Sequence, residues 1–317
     1  MVCSSKHSIT RNADEQAQGL LHWQQGYDQL STGPFKGKVT DIWINGTQVF
    51  RETINCRTGQ SGQAWDGSFV IGIPIALARG SLFAEQPVPR GAIICARGGQ
   101  EFSLITQSDS DIVGLAIAGE TLAEIMGQDS FRQFEGQFPQ KPAVIGSGVH
   151  QLNELKDILV ALLTEPDAQL EFISSPQLHR SFELAVAGFL SSFISSAKTI
   201  ELPSRSFRGR CQLVQEITAY ALANADKGVS VADLCARFNL SRRMLNYCFR
   251  EVLAVNPVYY FRQLRLNAVR KDLRGAREQG VLVRDVAEKW GFFHFSRFSA
   301  EYRELFGEYP SSTLQGK

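Results

Sequence analysis

Two segments near the end of the chain are weak copies of one another, and this repeat restricts the fold more than any other feature. The first reads VADLCARFNLSRRMLNYCFREVLAVNP, and the second, about fifty residues later, VRDVAEKWGFFHFSRFSAEYRELFGEYP. Each has a short apolar stretch, a turn signal and a second helical stretch that ends aromatic-basic, at Phe249-Arg250 and Tyr302-Arg303. A proline stands seven places after each basic residue, at Pro257 and Pro310. Ser230 and Asp233 have capping-box spacing, and Ser241 is the expected N-cap after the turn at Asn239-Leu240. Pro257 suits the opening of a helix long enough for five turns. A short helix, a tight turn and a second helix make a helix-turn-helix, whose second helix fits the major groove of B-DNA. A unit that occurs twice is more informative than either copy alone.

Charge is divided along the same line. From Arg205 to Lys317 there are 19 Lys and Arg against 11 Asp and Glu, a formal +8, while residues 1–204 carry 14 against 21, a formal −7. The whole-chain value of +1 hides this split. A basic end on an acidic body suggests a nucleic-acid surface, although a solvated basic face looks the same in sequence.

The C-terminal hundred or so residues resemble the DNA-binding domain of AraC/XylS-family transcription regulators. The resemblance is carried by Leu234, Ser241, Leu245, Phe249-Arg250, Pro257, Arg265-Leu266, Ala268, Leu273, Val286-Ala287, Gly291-Phe292, Ser296, Phe298, Gly307 and Pro310. It implies two helix-turn-helix units joined by a long helix, about 258–274, with the two recognition helices entering successive major grooves. Ala254 stands where the family usually has Gly, and Tyr302 where it usually has Phe. By the family's geometry Arg243, Asn246 and Tyr247 face bases in the first unit. Phe295, Ser296 and Ser299 occupy the early part of the second reading helix. Arg242, Arg250, Arg297 and Arg303 are expected on phosphate. Phe292, Phe298, Tyr302 and Phe306 are spaced to pack inward as core.

The rest of the chain reads differently. Residues 1–20 are polar and aperiodic, and a flexible arm is expected. About 33–118 is a series of short apolar runs broken by turn signals, Asn45-Gly46 and Gly98-Gly99 among them, which argues for a β-sandwich or barrel. Helical periodicity takes over at about 121–197, with Thr121 as a candidate cap and a leucine stripe from Leu152 to Leu163. That helix, or the Phe-rich one at Phe182–Phe193, is a candidate dimer seam; an ordinary packing face against the barrel is equally compatible. Ser- and Pro-containing 198–207 is the expected linker, leaving 21–197 as a sensing and dimerisation domain and 208–317 as the DNA-binding domain. The fold class is therefore α+β, with an all-α C-terminal domain. The resemblance further implies a cupin-like N-terminal barrel.

Trp23–Glu52 together with Arg97–Leu104 resembles the regulators of ethanolamine-utilisation operons, which implies ethanolamine, with or without adenosylcobalamin, as effector. Trp43 and Trp65 are candidate pocket residues, although a buried aromatic in a barrel is more often plain core. No carboxylate pair or nucleophile–base constellation stands out, so no catalytic residue is assigned and an enzyme is not expected. The six cysteines and five histidines are scattered without metal-ligand spacing, so no metal site is assigned. With no apolar h-region or membrane-length run, a cytoplasmic protein with reduced thiols is expected. The expected function is a DNA-binding transcription regulator, an activator, controlled by a small molecule in the barrel. Double-stranded DNA, RNA polymerase and a second copy of the chain are its expected partners. The alternatives are an AraC-type regulator controlled by a protein partner, and a barrel enzyme fused to a DNA-binding tail.

Overall fold

Runs such as SFVIGIPIA are apolar without alternation, which a strand carries when both its faces are buried. The fold supplies a cover on each side. The computed structural model describes residues 3–146, 150–196, 198–199, 204–276 and 280–316. In chain order the N-terminal half has β1 (Cys3–Thr10), α1 (Ala13–Ala17), β2 (Gln24–Gln29), β3 (Gly37–Ile44), β4 (Thr47–Ile54), β5 (Thr58–Gln63) and β6 (Ser68–Ala76). The short β7 (Leu82–Phe83) and β8 (Gln86–Pro87) follow, then β9 (Ala92–Arg97), β10 (Phe102–Thr106) and β11 (Ser110–Ala118). Next come α2 (Gly119–Met126), α3 (Gln128–Gln137), β12 (Ala143–Gly146), α4 (His150–Thr164), α5 (Pro166–Ser174), α6 (Pro176–Ser196) and β13 (Lys198–Thr199).

Eight strands form one sheet in the order β1-β3-β4-β11-β6-β9-β12-β13, and five form another in the order β2-β5-β10-β7-β8. The two face each other without closing into the expected hydrogen-bonded barrel. Alternate residues of the large sheet serve different layers. Phe69, Ile71, Ile73, Val113, Leu115 and Ile117 pack outward under the helices, with Leu155, Leu159 and Phe189. Val70, Ile94, Ala96, Ile112 and Ala116 pack inward, toward Phe83 and Leu104 of the small sheet. The β3–β4 turn is the predicted Asn45-Gly46, with φ of 45° and 79°.

Several sequence expectations are corrected here. Residues from Cys3 on are not a loose arm: β1 pairs with β3 from Cys3↔Ile44 to Thr10↔Gly37, and α1 follows with Asn12 as its N-cap. The strand lies at the sheet edge with little to bury, so it lacks the apolar alternation that reveals a strand. Thr121 caps nothing; α2 begins at Gly119, and the Thr121 hydroxyl donates to the Asn45 carbonyl at 3.2 Å. The leucine stripe of α4 (Leu152, Leu155, Leu159, Leu162, Leu163) is buried in the core beneath the large sheet, as are Phe182 and Phe189 of α6. These are packing faces, not an open dimer seam; the side chain of Phe193 lies outside the described residues. Of the expected linker, Lys198–Thr199 joins the large sheet against β12, residues 200–203 lie outside the described residues, and the next helix already begins at Arg205.

The C-terminal part is helical: α7 (Arg205–Ala223), α8 (Val231–Arg237), α9 (Arg242–Leu253), α10 (Pro257–Gly275), α11 (Val283–Lys289), α12 (Phe295–Phe306) and α13 (Pro310–Gln315). Its two cores share α10. Leu234, Leu245, Phe249 and Phe261 belong to one, and Leu266, Val269, Phe292, Phe298, Tyr302 and Phe306 to the other. Phe292, Phe298, Tyr302 and Phe306 are core, as their spacing predicts. Tyr302 is fully buried, and its hydroxyl is within 2.8 Å of Thr313 Oγ1, which satisfies the group that a Phe would lack.

Candidate nucleic-acid interface

The two units are built by the same local chemistry. In the first, Ser230 and Asp233 form the predicted capping box on α8. The chain then turns through Asn239 at φ 51°, with Leu240 N–H donating to Cys235 O at 2.9 Å. Ser241 caps α9 by accepting from Met244 N. In the second, Gly291 takes the turn at φ 75°, and Phe292 N–H donates to Ala287 O at 3.0 Å. The second turn is one residue longer, because His294, which makes no capping bond, precedes α12. Both reading helices end in left-handed residues, Ala254 at φ 53° and Gly307 at φ 75°. That explains the family preference for Gly at the place of Ala254: a Cβ is disfavoured there.

The first turns of α9 and α12 face solvent. Arg242, Arg243 and Arg250 are exposed and Tyr247 is half exposed; Arg243, Asn246, Tyr247 and Arg250 line one shallow open groove with Glu251. The structure thus brings together four of the five sequence-predicted residues of the first unit; Arg242 is exposed outside that groove. Asn246 donates from Nδ2 to Arg242 O at 2.8 Å, so its amide lies along its own helix and must rotate to read a base. Tyr247 sits under the Arg210 guanidinium, 5.6 Å from the ring centre, and Arg210 is ion-paired to Glu251. On α12, Ser296 is exposed and Ser299 is partly so, while Phe295 is half buried against the second core. Arg297 donates to Glu301 at 2.9 Å, and Arg262 shares that carboxylate. Arg303 donates to the Tyr309 hydroxyl at 2.7 Å and stacks on its ring. Arg297 and Arg303 therefore have intrachain partners that a phosphate must displace.

The other ends of these helices are held by the N-terminal domain, a feature the sequence does not signal. Asn267 of α10 pairs with the backbone of Gln29 as a strand would: Gln29 N–H donates to Oδ1 and Asn267 Nδ2 donates to Gln29 O, each at 2.9 Å. Gln29 Nε2 donates to Leu305 O at 2.7 Å, and Gly33 N–H to Glu304 O at 3.1 Å. Arg57, at the start of β5, donates to Leu253 O at the end of α9. The last carbonyls of both reading helices, which lack intrahelical donors, are thus capped from the β-domain. Burial lowers the pKa of Arg57, and Tyr260 and Tyr259 oppose that shift. Part of the basic charge is also used here. Lys271 meets Asp28 at 2.7 Å; Arg274 lies 3.7 Å from both Asp14 and Glu15, and Arg270 lies 3.9 Å from Asp14 and 2.9 Å from Glu308. Burial raises the pKa of Asp14, which Arg274 and Arg270 partly offset. The acidic body and the basic end are, in part, complementary docking faces.

Between the two sheets lies a cavity of about 40 Å³. Trp23, Gln25, Phe50, Glu52, Gln60, Phe102 and apolar neighbours line it; Trp43 and Trp65 do not. Those two tryptophans instead pack against each other at 5.3 Å, and Trp65 Nε1 donates to Gln48 Oε1, an acceptor it shares with Trp23. The ring of Phe50 reaches the cavity across its register partner Gly114, where a Cβ would stand 2.5 Å from Phe50 Cζ. Burial also raises the pKa of Glu52, against the hydrogen bonds from Gln16 and Tyr27. Among the described residues no cluster of three His, Cys, Asp or Glu could hold a metal ion, and no helix is long and apolar enough to cross a membrane.

Residues 234–316 match the family model of a helix-turn-helix domain. The chain is 29% identical over 150 residues to a probable thc operon regulatory protein of Rhodococcus erythropolis, which covers 46% of this chain and 45% of that protein. It is 26% identical over 166 residues to XylDLEGF operon transcriptional activator 3 of Pseudomonas putida, covering 52% and 49% respectively. The chain thus spans about half the length of these curated relatives. The AraC-like transcriptional activator CuxR aligns over 90% of this chain and 100% of its own, at 13% identity and a TM-score of 0.38. Residues 234–316 thus form a helix-turn-helix domain.

Proposed function

We propose that this AraC/XylS-type chain is a sequence-specific DNA-binding transcription regulator, acting as an activator, and that a small molecule held between its two β-sheets controls it. One observation carries the reading. Each reading helix offers its first turns to solvent and has its last carbonyls held by the domain that contains the cavity. Arg243, Asn246, Tyr247, Phe295, Ser296 and Ser299 are assigned to bases, and Arg242, Arg250, Arg297 and Arg303 to phosphates. RNA polymerase and a second copy of the chain are the proposed protein partners. The assignment of ethanolamine as effector rests on sequence resemblance; it suits a cavity of about 40 Å³, whereas a corrinoid such as adenosylcobalamin is far too large for it.

Footprinting and equilibrium binding on promoter DNA test this. Each chain is expected to protect two major-groove contacts about 10–10.5 bp apart. Affinity is expected to fall steeply with salt as Lys and Arg contacts release counterions. An effector that tightens DNA binding must itself bind more tightly when DNA is present, by the same factor. Folded protein that shows no salt-dependent binding to duplex DNA refutes the proposal. DNA binding that no small molecule alters leaves only its DNA-binding half.

A further inference from the structure

The cavity between the sheets has one ionisable lining residue, Glu52, and no described cation is paired with it. Glu52 is 7% exposed. Two donors converge on its Oε1, Gln16 Nε2 at 2.8 Å and the Tyr27 hydroxyl at 2.7 Å, and both of those residues are also buried. No described residue donates to Oε2. A second acceptor stands on the same lining: Gln25 Oε1 is buried with no donor among the described residues. Gln25 and Tyr27 are two apart on β2 and so share its inward face, and Tyr27 is the register partner of Gln60 on β5. The remaining wall is aromatic and aliphatic. Trp23 meets Phe50 and Phe102 edge-on at 5.4 and 6.0 Å, and Phe102 meets Phe83 at 5.8 Å.

We propose that this cavity is a binding site for a small organic ammonium cation, its nitrogen on Glu52 Oε2 and Gln25 Oε1 and its short hydrocarbon body against Trp23, Phe50 and Phe102. The proposal rests on the reading of the cavity as the effector site and names the class of effector. An unpaired carboxylate oxygen in an apolar wall calls for a cation or a proton. A carboxylate ligand would meet Glu52 with no counter-charge. A plain hydrocarbon would offer no donor to the Glu52 carboxylate or to the buried Gln25 Oε1. The aromatic lining also suits a cation, which the face of a ring attracts. Size limits the body: about 40 Å³ is room for a few water-sized groups, hence roughly three to five non-hydrogen atoms.

Calorimetric titration of the full chain with n-propylammonium, n-propanol and propionate tests this, the three being close in size and different in charge. Propylammonium is expected to bind at least tenfold more tightly than propanol, and propionate not at all. Glu52→Gln, which keeps an acceptor for Tyr27 and Gln16, is expected to weaken propylammonium by roughly 10- to 100-fold, the range for a lost charge-assisted hydrogen bond, and to leave propanol unchanged. Gln25→Leu is expected to weaken propylammonium by a smaller factor, which keeps the test open if Glu52→Gln does not fold. Propanol or propionate binding as tightly as propylammonium overturns the ammonium assignment while leaving the cavity as an effector site. Binding of none of the three overturns both the assignment and the reading of this cavity as the sensor, without touching the DNA-binding half of the proposed function.

Discussion

Replacing Asn267 with alanine tests how the two halves of the molecule are joined. Asn267 and Gln29 are 2% and 1% exposed, so the backbone N–H and C=O of Gln29 have no ready access to water. Alanine removes the partners of both groups. Each buried group left unpaired costs about 1–3 kcal/mol, so the upper range for the pair is about 2–6 kcal/mol. A water entering the space vacated by the amide could restore one bond, which brings the expected loss to about 2–4 kcal/mol. The loss of the bond from Asn267 to Gln263 O adds little, since that carbonyl already belongs to a helix. Urea unfolding of the full chain measures the change. Hydrogen exchange at the Gln29 amide should accelerate in the variant, because its acceptor is the deleted oxygen. A loss below about 0.5 kcal/mol, with the Gln29 amide still protected, refutes the idea that this pair seals the junction.

Three further expectations use other parts of the structure. Ala254→Gly should stabilise the protein by about 0.5–1 kcal/mol, since the residue sits at φ 53° and relief of Cβ strain outweighs the entropy of glycine; a lower melting temperature contradicts this. Arg243→Ala should cost about 1–3 kcal/mol on the preferred site and flatten sequence preference, whereas Arg250→Ala should weaken all sequences alike. Competition binding against scrambled duplexes separates the two, and uniform loss in both removes Arg243 from base readout. Glu52→Gln should stabilise the unliganded chain at neutral pH, because burial raises the Glu52 pKa in the folded state and ionisation there opposes folding. The gain should be full above the raised pKa and vanish as pH falls below the ordinary glutamate value; urea midpoints that show a pH-independent gain contradict it.

The helical end was legible because its signals are local. Ser230 with Asp233, Ser241, the turn residues Asn239 and Gly291, and Pro257 each act within a few residues of themselves, and the structure uses each as its chemistry suggests. Buried Phe298 and Tyr302 follow from helical spacing in the same way. What the sequence hid is held by distant partners. β1 has almost no apolar face and owes its place to backbone pairing with β3, so its residues read as a loose arm. Trp43 and Trp65 stood out by size, yet the cavity belongs to Trp23 and Glu52, the first tied to Gln48 and the second set by pairing of β4 with β11. Arg270, Lys271 and Arg274 counted toward a nucleic-acid surface until Asp14, Glu15 and Asp28 proved to face them. Charge totals do not distinguish a surface turned to DNA from one turned to the chain's own acidic half.

The clamps from the β-domain donate to main-chain oxygens of the reading helices, those of Leu253, Glu304 and Leu305. A carbonyl is the same whatever side chain its residue carries. The exposed first turns of α9 and α12 can therefore diverge freely in sequence, and on the proposed function the recognised DNA with them, without loosening the grip of the β-domain. Conversely, Gln29 and Arg57 lie at the same end of the paired strands β2 and β5, whose other positions include cavity-lining Gln25 and Gln60. On the proposed function, sensing is retuned at one end of that ribbon, while its other end holds α12 through Gln29 and α9 through Arg57. If the proposed function holds, a new DNA address and a new effector are separable steps, each reachable by substitutions that leave the other intact.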